Sequence, residues 1–185
     1  IRRPPRSTLD RSSAASDVYK RQLYNLGKDL KKDCVKFKKT LIVNDRVDIA
    51  KSINAHGAHV GMDDLPYNQA RKILGRKSII GVSASNKNEF IKVKKLKGVD
   101  YIGVSAFSSN TKKEMKNYFG LSGLKTCANA TKIPLIAIGG INISDVNSIL
   151  KLKIHGVAMI SSLLKGNIKK NCMDVSKIIS SYEKI

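Results

Sequence analysis

Short apolar runs rich in Ile and Val recur along this chain, and Lys-rich stretches of helical length separate most of them. The runs do not alternate with polar residues, which is typical of strands that are covered on both faces. Six runs are predicted as strands: 41–43, 58–62, 78–82, 101–104, 135–138 and 157–160. Such a repeat of strand and helix restricts the fold to the α/β class with a parallel sheet.

Amphipathic helices are predicted before the first strand and between later ones, at 23–39, 86–97, 121–131 and 143–153. In the earliest of these, apolar residues from Leu23 to Phe37 recur at spacings of three and four. Asn142 and Ser144 are candidate caps for the start of one helix, and Gly98 is a candidate for the end of another. Strands and helices therefore alternate along the chain from residue 23 onwards.

The spacing of the strands favours a barrel. Their starts lie about 17 to 34 residues apart, which matches the repeat of a (β/α)8 barrel of about 250 residues. A doubly wound sheet is the alternative, but no Gly-rich dinucleotide-binding fingerprint follows any of the runs. We therefore predict a (β/α)8 TIM barrel that is incomplete here, with about six βα units, in which the helix at 23–39 would be the tail of an earlier unit.

The net charge of +21 raises the question of nucleic-acid binding. Dedicated nucleic-acid-binding proteins concentrate their basic residues on one surface, with Arg or aromatic groups that contact the bases. Here the lysines are spread along the chain, aromatic residues make up 5%, and Trp is absent. A basic, non-catalytic nucleic-acid-binding protein is therefore an alternative of a different class, and specific nucleic-acid binding is not expected.

Composition also bears on the cellular compartment. No run approaches the roughly 20 apolar residues of a membrane span, and the amino terminus lacks the apolar segment of a signal peptide. The three cysteines are odd in number and widely spaced, which argues against a disulfide framework or a Cys-based zinc site. The sequence favours a cytoplasmic protein that does not interact with membranes.

The first 22 residues differ from the remainder of the chain. They are rich in Arg, Ser and Pro, and show neither helical nor strand periodicity. The segment resembles a translated adapter or vector read. We therefore predict that 1–22 is a disordered leader, and that 23–185 forms a partial barrel that carries the catalytic function.

Acidic residues follow two consecutive strands, at the end where barrels carry their chemistry. Asp45 comes after the first strand, and Asp63 and Asp64 come after the second. Because Mg²⁺ is commonly held by one or two carboxylates together with substrate phosphates, Asp45 and Asp64 are candidate metal ligands. In the alternative interpretation, Asp45 caps the following helix and Asp64 begins the turn before Pro66.

Small and polar residues follow the last two strands. Gly139-Gly140 permits close approach of the backbone to an anion, and Ser161 and Ser162 place donors at a helix start. The loops after the last two strands are the usual phosphate site of this architecture. Lys112 lies in a connection of about 30 residues, a length that is often functional. His59 is interpreted as a core histidine.

Seven motifs in a fixed order identify a resemblance. They are Leu41-Ile-Val-Asn-Asp-Arg46, Gly57-Ala-His-Val-Gly61 followed by Asp64-Leu-Pro66, Gly81-Val-Ser83, Asp100-Tyr-Ile-Gly103, Thr111-Lys-Lys113, Ile138-Gly-Gly-Ile141 and Gly156-Val-Ala-Met-Ile-Ser161. Together they resemble the thiamine-phosphate synthase family, from about residue 23 to the C-terminus. The resemblance implies a (β/α)8 transferase that couples an aminopyrimidine methyl diphosphate to a thiazole ethyl phosphate, with Mg²⁺ and release of pyrophosphate.

The resemblance also implies roles for individual residues. Asn44 would contact the diphosphate substrate, and Asp45 and Asp64 would hold Mg²⁺. Ser83 would bind near the pyrimidine and the diphosphate, and is one of two catalytic residues implied.

The other implied catalytic residue is Lys112, which with Thr111 would bind phosphates from the long loop. The family's loop motif is Pro-Thr-x-Thr-Lys, and Ser109 stands here where the first Thr would be. A final group, Gly140, Ile160 and Ser161, would line the thiazole phosphate pocket. The sequence is compatible with a homo-oligomer.

The resemblance implies that the first two strands of the barrel would precede Leu23 and include a Gln-x-Arg-x-Lys run that binds the pyrimidine diphosphate. That run is absent from this chain, so the first two strands are expected to be missing. We therefore expect an amino-terminally truncated synthase whose residues 1–185 are unstable and have negligible activity. Thiamine phosphate formation by these residues would contradict that expectation. The nearest rival is a thiazole tautomerase of the same superfamily. Asp45, Asp64 and Lys112 favour the synthase, because a tautomerase has no leaving pyrophosphate to bind.

Overall fold

The computed structural model describes residues 13–108 and 118–182. In chain order, the helices and strands of these residues are α1 (Ser13–Lys36), β1 (Ile42–Asn44), α2 (Val47–Ser52), β2 (Gly57–Val60), α3 (Tyr67–Leu74), β3 (Ile79–Ala84), α4 (Lys87–Val93), β4 (Tyr101–Ser105), α5 (Gly120–Asn129), β5 (Leu135–Ile138), α6 (Ile143–Leu150), β6 (Gly156–Ala158), α7 (Ser161–Leu164) and α8 (Ile168–Tyr182). The chain divides into two compact units, and the boundary falls between Val82 and Ser83.

In the first unit, β1, β2 and β3 pair in parallel. Ile42 lies opposite Gly57 and Asn44 opposite His59, while Val60 lies opposite Val82. Val43, Ala58, Val60 and Ile80 are buried to 1% exposure or less, since their strands are covered by helices. This register brings the carboxyl ends of β1 and β2 to the same edge.

Helices α1 and α2 close one side of this unit. The α2 residues Val47, Ile49 and Ala50 are buried. Gly27 of α1 lies so close to Ile53 that a Cβ added to the glycine would be 2.8 Å from the Ile53 Cδ1 atom. The helix pair therefore packs through a small residue on α1.

In the second unit, β4, β5 and β6 also pair in parallel. Ile102 lies opposite Leu135 and Ser105 opposite Ile138, and Ile138 in turn lies opposite Ala158. The helices of this unit contribute buried apolar residues to its core: Phe90, Val93, Leu124, Cys127, Val146, Ile149 and Val175. The exits of β5 and β6 are therefore neighbours.

All six predicted strands are present, each within a few residues of its predicted bounds. The predicted helices are present too, although α4 ends at Val93, before Gly98. At the start of α6, the Asp145 carboxylate accepts a hydrogen bond from the Asn142 N–H at 2.8 Å, so Asn142 rather than Ser144 is the cap residue. The sequence pattern therefore located the elements well and their ends less well.

The predicted start of the first helix was wrong. Helix α1 begins at Ser13, ten residues before Leu23, so it includes 13–22. This segment contains good helix formers such as Ala14, Ala15 and Lys20, and extending an existing helix costs little compared with nucleating one. The interpretation of 1–22 as a leader stays a prediction.

The described helices do not include one whose length and apolar character would let it cross a membrane. Cys34, Cys127 and Cys172 are free thiols, and burial raises the pKa of the Cys127 thiol to about 11.

Candidate active site

The chain leaves β1 through a tight turn with Asp45 at its centre. The Arg46 N–H donates to the Asn44 carbonyl oxygen at 2.7 Å, which is the hydrogen bond of a three-residue γ-turn. The φ angle of Asp45 is +63°, in the left-handed region that L residues rarely adopt. A strained backbone therefore carries one of the two predicted metal ligands.

Two hydrogen bonds hold Asp45 in this turn. Its backbone N–H donates to the carbonyl oxygen of His59 on β2 at 2.8 Å. Its Oδ1 atom accepts a hydrogen bond from Nδ2 of Asn44 at 2.7 Å. Both Asn44 and Asp45 are half-buried. The backbone of β2 thus holds the main chain of Asp45, and the side chain of Asn44 holds its carboxylate.

The second predicted metal ligand, Asp64, lies just beyond β2. Its Oδ2 atom accepts a hydrogen bond from the Gly61 N–H at 2.8 Å, and the Asp64 N–H donates to the Gly61 carbonyl oxygen at 3.3 Å. The side chain is half-buried, whereas the neighbouring Asp63 is exposed. Asp64 therefore ends and stabilises the turn that leaves β2, rather than beginning the turn before Pro66 that the alternative interpretation predicted.

The alternative interpretation, in which Asp45 caps the following helix, has less support. The N-cap residue of α2 is Arg46, and no side-chain hydrogen bond caps this helix start. The Arg46 guanidinium instead donates two hydrogen bonds to the Asp48 carboxylate. This contact lowers the pKa of Asp48 and raises that of Arg46. The basic residue next to Asp45 is therefore engaged with a different carboxylate.

His59 lies on β2 and is 8% exposed. Burial lowers its pKa to about 4, and the nearby charge of Asp64 opposes that shift. At neutral pH the imidazole is therefore uncharged. This finding agrees with the interpretation of His59 as a core histidine.

The donor set of the first unit fits Mg²⁺. Asp45 and Asp64 occupy the exits of neighbouring parallel strands. Within the described residues there is no group of three or more His, Cys, Asp or Glu side chains of the kind that holds a metal by itself. Mg²⁺ needs only one or two carboxylates when substrate phosphates complete its shell. The arrangement is thus suited to a metal that arrives with a phosphorylated substrate.

In the second unit, the turn after β5 is built from two glycines. Gly139 and Gly140 have φ angles of +90° and +69°. A Cβ added to Gly139 would lie 3.2 Å from the Ala106 Cα atom, and one added to Gly140 would lie 2.4 Å from the Ser108 Oγ atom. Both glycines therefore lie close to the chain that leaves β4, and the predicted approach to an anion stays a prediction.

Ser108 connects these two strand exits, and its hydroxyl donates to the Gly140 carbonyl oxygen at 2.8 Å. The base of the long β4–α5 connection is closed by two backbone bonds, from Phe119 N–H to the Ala106 oxygen and from Gly120 N–H to the Phe107 oxygen. Ser109, Thr111 and Lys112 lie outside the described residues. Their predicted roles remain predictions.

The exit of β6 leads into α7. Ile160 and Ser161 are exposed there, and Ser161 is the first helical residue. The Ser162 hydroxyl does not contribute an outward donor, because it bonds to the Ile141 carbonyl oxygen at 2.7 Å. Ser162 therefore connects the exits of β6 and β5, and the role of Ser161 as a donor stays a prediction.

Sequence reasoning missed several residues that shape these exits. The Asn171 amide donates to the carbonyl oxygens of Ser162, Leu163 and Lys165, and so satisfies the end of α7. Nothing in the local sequence around Asn171 or Ser108 indicates these contacts.

Ser83, the remaining candidate, is half-buried on β3 and is the first residue of the second unit.

Comparison with known proteins identifies the family. The model of the thiamine monophosphate synthase family matches residues 11–163. This chain belongs to that family. It is 41% identical to the thiamine-phosphate synthase of Clostridium tetani over 162 residues, which cover 86% of this chain and 77% of the relative. Its identity to the Clostridium novyi thiamine-phosphate synthase is 40% over 152 residues, with 82% and 74% coverage.

A solved structure supports the same conclusion. The thiamine phosphate pyrophosphorylase of Pyrococcus furiosus superposes with a TM-score of 0.78 at 31% identity, over 87% of this chain and 77% of that one. The predicted family, its synthase function and the α/β class with part of a barrel fold are therefore confirmed. The comparisons do not test the individual site residues.

Proposed function

We propose that this chain joins an aminopyrimidine methyl diphosphate to a thiazole ethyl phosphate, forming thiamine phosphate and pyrophosphate. The observation that carries the proposal is the pair of carboxylates at the neighbouring exits of β1 and β2, within a member of the thiamine monophosphate synthase family. In this reaction the bond between the pyrimidine methylene carbon and the diphosphate oxygen breaks, and its electron pair leaves with pyrophosphate. The thiazole nitrogen then bonds to that carbon.

The first unit would bind the diphosphate. Asp45 and Asp64 would hold Mg²⁺, which when bound neutralises charge on the leaving pyrophosphate. Asn44 lies beside Asp45 and would contact the diphosphate. The buried His59 is uncharged at neutral pH, so it does not add a positive charge that competes with Mg²⁺ for the carboxylates.

The second unit would bind the thiazole phosphate through Gly140, Ile160 and Ser161. The support is that β5 and β6 are neighbours and that their exits are connected by the Ser162 hydrogen bond to Ile141. Ser83 would contact the pyrimidine and diphosphate, and Ser109, Thr111 and Lys112 would bind phosphates. Because no proton must move in the bond-making step, positioning and electrostatics supply most of the catalysis.

The test measures pyrophosphate release with both substrates at several Mg²⁺ concentrations. Binding of inorganic pyrophosphate in the presence of Mg²⁺ is measured by calorimetry as well. Mg²⁺-dependent release, or Mg²⁺-dependent binding that is lost in Asp45→Asn, supports the proposal. Failure of both contradicts it, and conversion of the thiazole phosphate alone would identify a tautomerase.

Two broader predictions stay proposals. A cytoplasmic location rests on the three free cysteines, and a homo-oligomer rests on the sequence being compatible with one. Fractionation of cells and measurement of the mass in solution test them.

A further inference from the structure

We propose that Asn44 is a positioning residue that holds the Asp45 carboxylate in its metal-binding orientation. This inference rests on the proposed function of Asp45 as a metal ligand and adds a second role to Asn44, whose contact with the diphosphate the family resemblance already implies. The two roles differ in what they require, because positioning acts before any substrate binds.

The backbone at Asp45 gives the first argument. A residue other than glycine in the left-handed region costs free energy, and such strain persists where the surrounding structure fixes it. The γ-turn and the bond from the Asp45 N–H to the His59 oxygen provide that fixing. A glycine would fill this position without strain, so the requirement there is for the carboxylate.

The side-chain contact gives the second argument. The distance of 2.7 Å from Asn44 Nδ2 to Asp45 Oδ1 is that of a charge-assisted hydrogen bond. Residues that donate to a ligating carboxylate set its orientation, and their loss typically weakens metal binding about 10- to 100-fold. An amide nitrogen carries two hydrogens, and this contact uses one of them.

The register of the sheet explains why Asn44 can do this. Asn44 is the last residue of β1 and lies opposite His59, whose carbonyl oxygen accepts from Asp45. The strand therefore fixes Asn44, and Asn44 fixes the side chain of the next residue. The Arg46 guanidinium, which could otherwise pair with Asp45, is bonded to Asp48.

The experiment is a double-mutant cycle with Mn²⁺ as the probe, carried out without pyrophosphate and again with inorganic pyrophosphate present. Free Mn²⁺ is measured by electron paramagnetic resonance for the full chain, Asn44→Ala, Asp45→Asn and the double variant. We expect Asn44→Ala to weaken Mn²⁺ binding about 10- to 100-fold. In the Asp45→Asn background, Asn44→Ala should have no further effect, because the group it positions is gone.

A matched control is Asn88→Ala, the same substitution at an exposed residue of α4, which should change Mn²⁺ affinity less than about twofold. Urea unfolding of every variant verifies that it folds. If Asn44→Ala leaves Mn²⁺ affinity unchanged, or if the two effects add fully, the positioning role is wrong although the metal site stands. If neither Asp45→Asn nor Asp64→Asn changes Mn²⁺ affinity, with or without pyrophosphate, the metal site itself is wrong.

Discussion

The strand exits of the two units are built in different ways. In the first unit, the exits of β1 and β2 present carboxylates that hydrogen bonds hold in place, and Asp45 carries the strained backbone itself. In the second unit, the exits of β5 and β6 present mainly backbone, and the strained positions are the glycines 139 and 140.

The two units therefore place different requirements on the sequence. In the first unit, a strained position must carry a carboxylate, that of Asp45, although the strain lowers stability. The second requires the absence of a side chain, since atoms of Ala106 and Ser108 fill the space where a Cβ would lie. Substitutions should therefore impair metal binding in the first region and folding in the second.

The largest effect is expected for Gly140→Ala, which would place a Cβ 2.4 Å from the Ser108 Oγ atom. Left-handed strain and overpacking together should lower the free energy of unfolding by about 3 kcal/mol, measured by urea denaturation. Gly166→Ala is the matched control, because Gly166 has a similar φ of +71° and nothing within 4 Å of an added Cβ. It should cost about 1 kcal/mol. Equal losses for the two variants would contradict the packing argument.

In the first region, Asp45→Asn or Asp64→Asn should weaken Mg²⁺-dependent pyrophosphate binding on the order of 100-fold, the upper end of what even indirect metal contacts contribute. Calorimetry measures the binding, and the free energy of unfolding should change much less than for Gly140→Ala. Asp63→Asn is the control, since Asp63 is exposed and adjacent to Asp64 in sequence. A similar loss in Asp63→Asn would show that general charge, rather than these two carboxylates, binds the ligand.

The regions should also differ in their response to acid. The pKa of His59 is lowered from 6.5 to about 4 by burial, so the unfolded chain binds a proton more readily than the folded one. The resulting stability is complete above pH 6.5 and is lost as the pH falls towards 4. Between pH 7 and pH 5 we expect His59 to account for a loss of about 2 kcal/mol in the free energy of unfolding.

Urea denaturation at the two pH values measures this loss, and His59→Leu is the reference that removes it. The difference between pH 7 and pH 5 should be smaller in the variant. An unchanged difference would mean that other groups cause the acid sensitivity.

The smallest effect is expected at the start of α6, the helix that follows β5. Asp145→Ala removes the carboxylate that accepts from the Asn142 N–H and should cost about 1 kcal/mol of unfolding free energy. Ser144→Ala changes an exposed residue of the same helical turn and should have an effect within about 0.5 kcal/mol. Thermal or urea unfolding compares the two. Equal effects would indicate that the cap does not stabilise α6.

Local pattern located the strands because burial in a parallel sheet imposes a continuous apolar run, as at 135–138, where predicted and observed bounds agree. The local pattern did not predict that α1 begins at Ser13, because the extension of a helix depends on a neighbouring helical segment and not on amphipathic periodicity alone. The candidate residues Asp45 and Asp64 were also recognisable, since polar residues that end apolar runs fall at strand exits.

By itself, the sequence determined the order of strands and helices, the family and the residue types at the strand exits. Only the tertiary structure decided which groups meet there. Ser108 bonds to a residue 32 positions away and Ser162 to one 21 positions away. Such contacts depend on the register between strands, which no local pattern specifies. For the same reason, the structure was needed to show that the backbone of His59 holds Asp45.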